Sequence, residues 1–368
     1  MEHGIRKIWM ATLAVAALGA LTATPALADV AYLVTVNTSS VSGQAGFLDF
    51  QFNGGNTPFQ PATATIEDFM SVGGIVTGTP QINGSVSGSL PGVVTMNNSA
   101  ALNELFQGFQ YGSSFSFVVV LSGPALNSPN GTSNSGTAFS VGLYDNNQYP
   151  ILTDDASGSV GKIDIHTDGS TTTTEFTTNG GPSVIKFQPI ALPGSYQVRY
   201  AANLSAGDSV INLTNTGGIG GFEPAGNICA NIYAFDADQQ LVSCCACALT
   251  PNHLQTLSFQ KDILVNLLTP GVPSAMTVAV LASTNTATCD AASVKPEQTV
   301  TALRAWGTTL HAQPGGSYAV TETEFSGAFL SPSAFQRMTD SCSFINANGS
   351  GYGICNSCRL GAAGAARQ

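Results

Sequence analysis

Hydrophobic and polar positions alternate with period two along most of the first half of the chain. Tyr32, Val34 and Val36 form one apolar stripe, Leu48, Phe50 and Phe52 another, and Ala62, Ala64 and Ile66 a third. Phe115, Phe117, Val119 and Leu121, then Phe139, Val141 and Leu143, continue the pattern. Successive side chains of a strand point to opposite faces, so each run predicts a strand with one face in a core and one towards water. Clusters of Gly, Pro, Asn and Ser, as at Asn53–Asn56 and Ser122–Gly136, separate the runs and predict turns. One short helix is expected after Ser99, which would cap it, with Leu102, Leu105 and Phe106 on one face.

In the second half, Tyr196–Tyr200 and Asp208–Thr214 read as strands. Ile228–Phe235 and Leu241–Ala248 read as a hairpin turning at Asp236–Gln239, and Ala275–Leu281 reads as a buried strand. Ser331 followed by Pro332 predicts a helix start. Phe335, Met338, Cys342 and Ile345 then share a face, and Asn348-Gly349 ends the helix. The expected fold is mainly β: two β-sandwich or jelly-roll-like modules with one or two short helices. The first module spans 29–192 and contains no Cys. The second spans 195–368, is rich in Cys and carries its helix near 332–346. The linker falls at Gln188–Gly194, where two prolines and a glycine interrupt the strand pattern.

The start of the chain is different. Arg6 and Lys7 precede an uncharged apolar run, Ile8–Ala23, and Ala26-Leu27-Ala28 places small residues where a signal peptidase reads them. Residues 1–28 are expected to be a secretory signal peptide cleaved before Asp29. The run is shorter than the roughly 20 residues of a spanning helix. No later segment is long and apolar enough to span a bilayer, and no Cys near the cleavage point suggests a lipoprotein.

Charged residues make up 9% of the chain and the net charge is −11. Between Asp29 and Gly161 there is no Lys or Arg. Such a surface repels phosphate backbones, which argues against nucleic acid and anionic membranes as partners.

Several segments of the first half resemble a family of bacterial exported proteins whose members often end in a PEP-CTERM sorting tail. They are Val34–Ser40, Gly46–Asn53, Ser89–Val94, Gly112–Phe117, the Ser122-Gly123 pair and Phe139–Asp145, within about residues 30–170. The tail Arg359–Gln368 departs from that family, with neither a Pro-Glu-Pro signal nor an apolar helix. In the second half, Asn231–Asp236, Ser243–Cys247 and Gly353–Gly361 resemble an uncharacterised Cys-rich module of bacterial exported proteins, over about residues 195–361. Both resemblances imply export; neither implies an activity.

All eight Cys lie in the second half: Cys229, Cys244, Cys245, Cys247, Cys289, Cys342, Cys355 and Cys358. An even count in an exported chain reads as four disulfides, with the connectivity open. Strand alternation puts Cys245 and Cys247 on one face and Cys244 on the other. Cys229 is expected across the hairpin from Cys245 or Cys247, and Cys342 within reach of Cys355 or Cys358. At least one bridge should join the hairpin to the C-terminal cysteines. The rival reading is a zinc site of Cys244, Cys247, Cys355 and Cys358.

Catalytic signatures are missing: there is no H-E-x-x-H and no G-x-S-x-G. Asp145, Asp154, Asp155, Asp164 and Asp168 cluster in sequence near loops and are candidate calcium ligands, calcium being the one cofactor considered. The expected function is that of a secreted, non-enzymatic binding or structural protein of the extracellular space or cell surface, its partners glycans or other surface proteins. A carbohydrate-binding module or secreted glycan-active enzyme is one alternative, which an aromatic platform on a sheet face or two carboxylates in a cleft would favour. Trp is scarce, so Tyr would have to build such a platform. A self-assembling layer or filament component is the other alternative.

Overall fold

The computed structural model describes residues 29–55, 58–131, 137–219, 226–265, 267, 271–284, 289–349 and 355–358. The expected signal peptide at 1–28 and the tail at 359–368 lie outside the described residues.

The first half forms strands Val30–Asn37 (β1), Ala45–Asn53 (β2), Thr63–Val72 (β3), Ile75–Asn83 (β4), Val86–Gly88 (β5) and Val94–Asn97 (β6). Glu104–Gln110 (β7), Ser114–Ser122 (β8), Thr137–Asp145 (β9), Ser159–Ile165 (β10), Thr171–Glu175 (β11) and Ile185–Ile190 (β12) follow, with one short helix at Pro124–Asn127 (α1). They build two six-stranded antiparallel sheets, in the orders β12-β1-β8-β3-β6-β5 and β11-β10-β9-β2-β7-β4. The sheets face each other across one core. Phe50 of β2 meets Phe117 of β8 edge-on at 5.3 Å, and Phe69 of β3 meets Phe109 of β7 edge-on at 6.1 Å. All five apolar stripes point into this core.

The helix expected after Ser99 does not form. Ser99 pairs its hydroxyl with Ser85, and Asn103 closes a turn through its side-chain amide to the carbonyls of Phe52 and Ala100. Leu105 and Phe106 then lie in β7, between β2 and β4, with Leu105 buried in the core and Phe106 on the opposite face. Pairing on both edges satisfies the backbone groups of this short segment and overrides its weak helical spacing.

The second half forms Tyr196–Ala202 (β13), Val210–Asn215 (β14), Ile228–Asp236 (β15), Leu241–Leu249 (β16) and Leu254–Ser258 (β17). Ala275–Ser283 (β18), Leu303–Ala312 (β19), Tyr318–Glu324 (β20), Ser326–Gly327 (β21) and the helix Pro332–Ala347 (α2) complete it. The sheets run β16-β15-β18-β13-β21 and β17-β14-β19-β20. One face of the first packs on the second, with Ile232, Cys245 and Val280 against Ile211 and Leu213. Its other face takes α2, with Tyr233, Cys244 and Leu281 against Phe335, Met338, Cys342 and Ile345. A sheet buried on both faces has no polar face to display, which is why β15 and β18 read as nearly continuous apolar runs. Helix α2 starts as expected: Ser331 Oγ accepts the Ala334 N–H at 3.3 Å and Pro332 takes the first position. The β15–β16 hairpin turns on Asp236, whose Oδ1 accepts the N–H groups of Asp238 and Gln240.

Four disulfides cross the second half: Cys229–Cys289, Cys244–Cys342, Cys245–Cys355 and Cys247–Cys358, with Cα separations of 5.4, 5.8, 4.9 and 5.3 Å. Two expected proximities are corrected. Cys229 lies opposite Ala248 and bonds Cys289, on the α2 side of the sheet with Cys244, away from Cys245 and Cys247. Cys342 bonds Cys244, because α2 lies on the face that Cys244 shares and Cys355 joins the opposite core. That separation also prevents Cys244 from joining Cys247, Cys355 and Cys358 around one zinc ion.

Candidate functional site

The outward face of the sheet β11-β10-β9-β2-β7-β4 carries the densest chemistry. On β2, burial of Leu48, Phe50 and Phe52 turns Phe47, Asp49 and Gln51 outward. On β7 the same alternation turns Glu104 and Phe106 outward, and on β9 it turns Ser140, Gly142 and Tyr144 outward. Register then makes a grid. Phe47 stands opposite Tyr144, Asp49 between Phe106 and Gly142, and Gln51 between Glu104 and Ser140.

The three rings form one half-buried cluster. Phe47 stacks on Phe106 at 4.6 Å, and Phe106 meets Tyr144 edge-on at 5.5 Å. Gly142 makes room for it: a Cβ there would sit 2.8 Å from a Tyr144 ring carbon and 3.3 Å from the Asp49 Cβ. The tyrosine ring therefore lies over the glycine and walls in the aspartate.

Asp49 is only 4% exposed although it faces away from the core. Gln51 Nε2 donates to Asp49 Oδ2 at 2.8 Å and to Glu104 Oε1 at 3.2 Å, so one amide joins the two carboxyl groups. Asn83 Nδ2 donates to the other Glu104 oxygen at 2.6 Å. Among the described residues, Asp49 Oδ1 is buried without a hydrogen-bond partner. Burial pushes the Asp49 carboxyl up to about 7; the Gln51 hydrogen bond opposes this and the Glu104 charge adds to it. Burial also raises the Tyr144 phenol, helped by the charges of Asp49 and Glu104. Farther along the same face Lys162 and Asp164 form an ion pair at 3.0 Å. Rings that present a flat apolar surface, beside carboxyl and carboxamide groups that donate and accept, suit a ligand with alternating C–H faces and hydroxyls.

The five aspartates considered for calcium serve separate turns and pairs. Asp145 accepts the N–H groups of Asn147 and Tyr149. Asp154 accepts from Thr177 Oγ1 and from the N–H groups of Asn179 and Gly180, and its carboxyl is held below the usual range, first by Gly180 and then by Thr177. Asp155 takes the Ser157 N–H and hydroxyl. Asp164 pairs with Lys162. Asp168 takes the Ser170 hydroxyl and N–H, which lower its pKa in that order. Among the described residues, the one group of three or more possible ligands whose donor atoms lie within 4.8 Å of one another is Cys247, Cys355 and Cys358, all in disulfides.

Sequence reading passed over Phe47, Asp49, Glu104, Phe106 and Tyr144. One signal was present: Asp49 is the single charge in Phe47-Leu-Asp-Phe-Gln-Phe52, at an outward position between aromatic residues. Comparison with protein-family models, with curated proteins and with solved structures returns no match.

Proposed function

We propose that this chain is an exported, non-enzymatic binding protein of the extracellular space or cell surface, whose ligand is a glycan held on the outward face of the β2–β7–β9 sheet. The observation that carries the reading is the Phe47–Phe106–Tyr144 cluster set directly against the Asp49–Gln51–Glu104 relay on one sheet face. A sugar ring stacks its C–H face on an aromatic ring and spends its hydroxyls on carboxylates and amides, and both groups stand here within one strand spacing. The basic start, the apolar run and Ala26-Leu27-Ala28 support export, as do the four disulfides. Among the described residues no helix is long and apolar enough to cross a membrane.

Affinity electrophoresis of the disulfide-intact protein through gels containing soluble neutral polysaccharides tests the reading. At least one polysaccharide should retard the wild type, with retardation lost in Phe106→Ala. Equal mobility in every gel, for wild type and variant alike, overturns it.

A second reading, a secreted glycan-active enzyme, draws on the Asp49 carboxyl at about 7 beside Glu104. A protonated acid next to an ionised carboxylate is the pairing glycoside hydrolysis uses. Release of reducing ends from a retarding polysaccharide, abolished by Glu104→Gln, would favour the enzyme over the binding protein.

A further inference from the structure

The two sandwiches meet over an apolar patch on the outward face of the sheet β12-β1-β8-β3-β6-β5, a face that also carries Thr35, Ser116 and Lys186. Ala31, Val118, Ile190 and Leu192 form a buried cluster there, with Leu33 and Val120 packed against it. The turn Pro296–Gln298 of the second sandwich lies against β1 and β12, and Thr299 Oγ1 accepts the Leu192 N–H at 2.7 Å. This docking leaves part of the outward face uncovered.

The uncovered part is a groove of about 780 Å³. Leu33 and Val118 line it from the sheet, Met70 and Val93 from β3 and the turn before β6, and Phe329 from the second sandwich. Met70, Val93 and Phe329 are 65%, 55% and 54% exposed, an unusual gathering of open apolar side chains. A smaller cavity of about 220 Å³, bounded by the linker residues Leu192–Gly194 and by Tyr196, shares Asp68 and Phe329 with it.

Two carboxylates face this groove, Glu67 and Asp68. They sit at an irregularity in β3, where its register against β8 shifts between Glu67 and Met70 and Asp68 adopts a φ of 53°. A bulge turns consecutive side chains in directions that a regular strand would separate. Among the described residues neither carboxylate has an ion-pair partner. Among the described residues no Lys, Arg or His lines either cavity. Burial raises the Glu67 carboxyl, and the Asp68 charge raises it further.

We infer that the groove between the sandwiches binds a small amphipathic cation, an alkyl or aryl body carrying one ammonium or guanidinium group. The apolar walls take the body, and Glu67 and Asp68 take the charge they otherwise leave unpaired. The volume falls in the range of roughly 300–1,000 Å³ of small-molecule sites, which favour the junctions between domains. This site lies on a different sheet from the glycan face, so the two inferences stand or fall separately.

Isothermal titration calorimetry on the full, disulfide-intact chain tests it with three probes of one tail length, all below their micelle concentrations: decyltrimethylammonium, decyl sulfate and decyl maltoside. The cation should bind saturably at one site and more tightly than either comparator. Glu67→Gln with Asp68→Asn should weaken the cation about tenfold and leave decyl maltoside unchanged, as expected when a charge pair in a partly dry site is removed. Phe329→Ala should weaken all three. Equal affinity for the cation and the sulfate overturns the inference, as does full cation affinity in the double variant. Sedimentation showing a dimer that the cation does not dissociate, and that Val93→Asp does, would assign the groove to a second copy of the chain instead.

Discussion

Cys244 and Cys245 are neighbours in the chain, yet their disulfides leave opposite faces of the same strand. Cys244 bonds Cys342 on α2, and Cys245 bonds Cys355 on the side of the core between the two sheets. Period two makes this unavoidable for a strand buried on both sides. Strand β16 forms the edge of its sheet, and the paired bridges fasten that edge to a helix on one face and to a C-terminal segment on the other.

Peptide mapping without reduction should therefore recover Cys244 with Cys342 and Cys245 with Cys355, and no free thiol. The two bridges span 98 and 110 residues of sequence. Replacing both Cys244 and Cys342 by Ser should lower stability by about 2–4 kcal/mol, read as a lower Tm, because the unfolded chain regains the entropy of a long loop. Recovery of four or more alkylatable thiols with bound zinc would reverse the assignment.

Asp49 should make stability depend on pH. Its carboxyl is raised from 3.8 to about 7 in the folded state, so between those values the folded chain holds more protons than the unfolded one. The contribution is fully present below pH 3.8 and is lost as pH rises through about 7. Its size is on the order of a few kcal/mol. Chemical denaturation of wild type and Asp49→Asn across that window should show the wild type losing stability relative to the variant as pH rises. Parallel profiles would contradict the burial assigned to Asp49.

Phe106 and Tyr144 help keep water from Asp49, so removing either ring should bring the carboxyl back towards its ordinary range. Carbon-detected NMR titration of Asp49 in Phe106→Ala should show a midpoint shifted down by about one unit or more, since solvation favours the charged form. An unchanged midpoint would mean that Glu104, rather than burial, sets the value.

The fragment 29–192 should fold without any disulfide. Its core closes between its own two sheets and contains no Cys. A cooperative thermal melt with β-type circular dichroism under reducing conditions is expected. The fragment should also bind a hydrophobic dye more strongly than the full chain, because Ala31, Val118 and Ile190 lose their cover. An aggregated or molten fragment would show that the halves depend on each other.

Local pattern was enough to assign faces. The stripe Leu48, Phe50 and Phe52 points inward because a strand has no other way to bury alternate residues, and Ser331-Pro332 starts a helix because both residues suit its first turn. The same alternation separated Cys244 from Cys245. It could not say what lay across each face, because pairing between distant strands depends on how the whole chain packs. Leu102, Leu105 and Phe106 fit a helix by spacing, but β2 and β4 offer hydrogen-bond partners on both sides, and the segment from Glu104 onward became a strand. The candidate glycan site arose in the same way. Phe47, Phe106 and Tyr144 lie far apart in sequence, and only the β7-β2-β9 order brings their rings together over Asp49. The five aspartates were close in sequence and still serve separate partners: Asp145, Asp154, Asp155 and Asp168 accept backbone N–H groups of their own turns, and Asp164 pairs with Lys162.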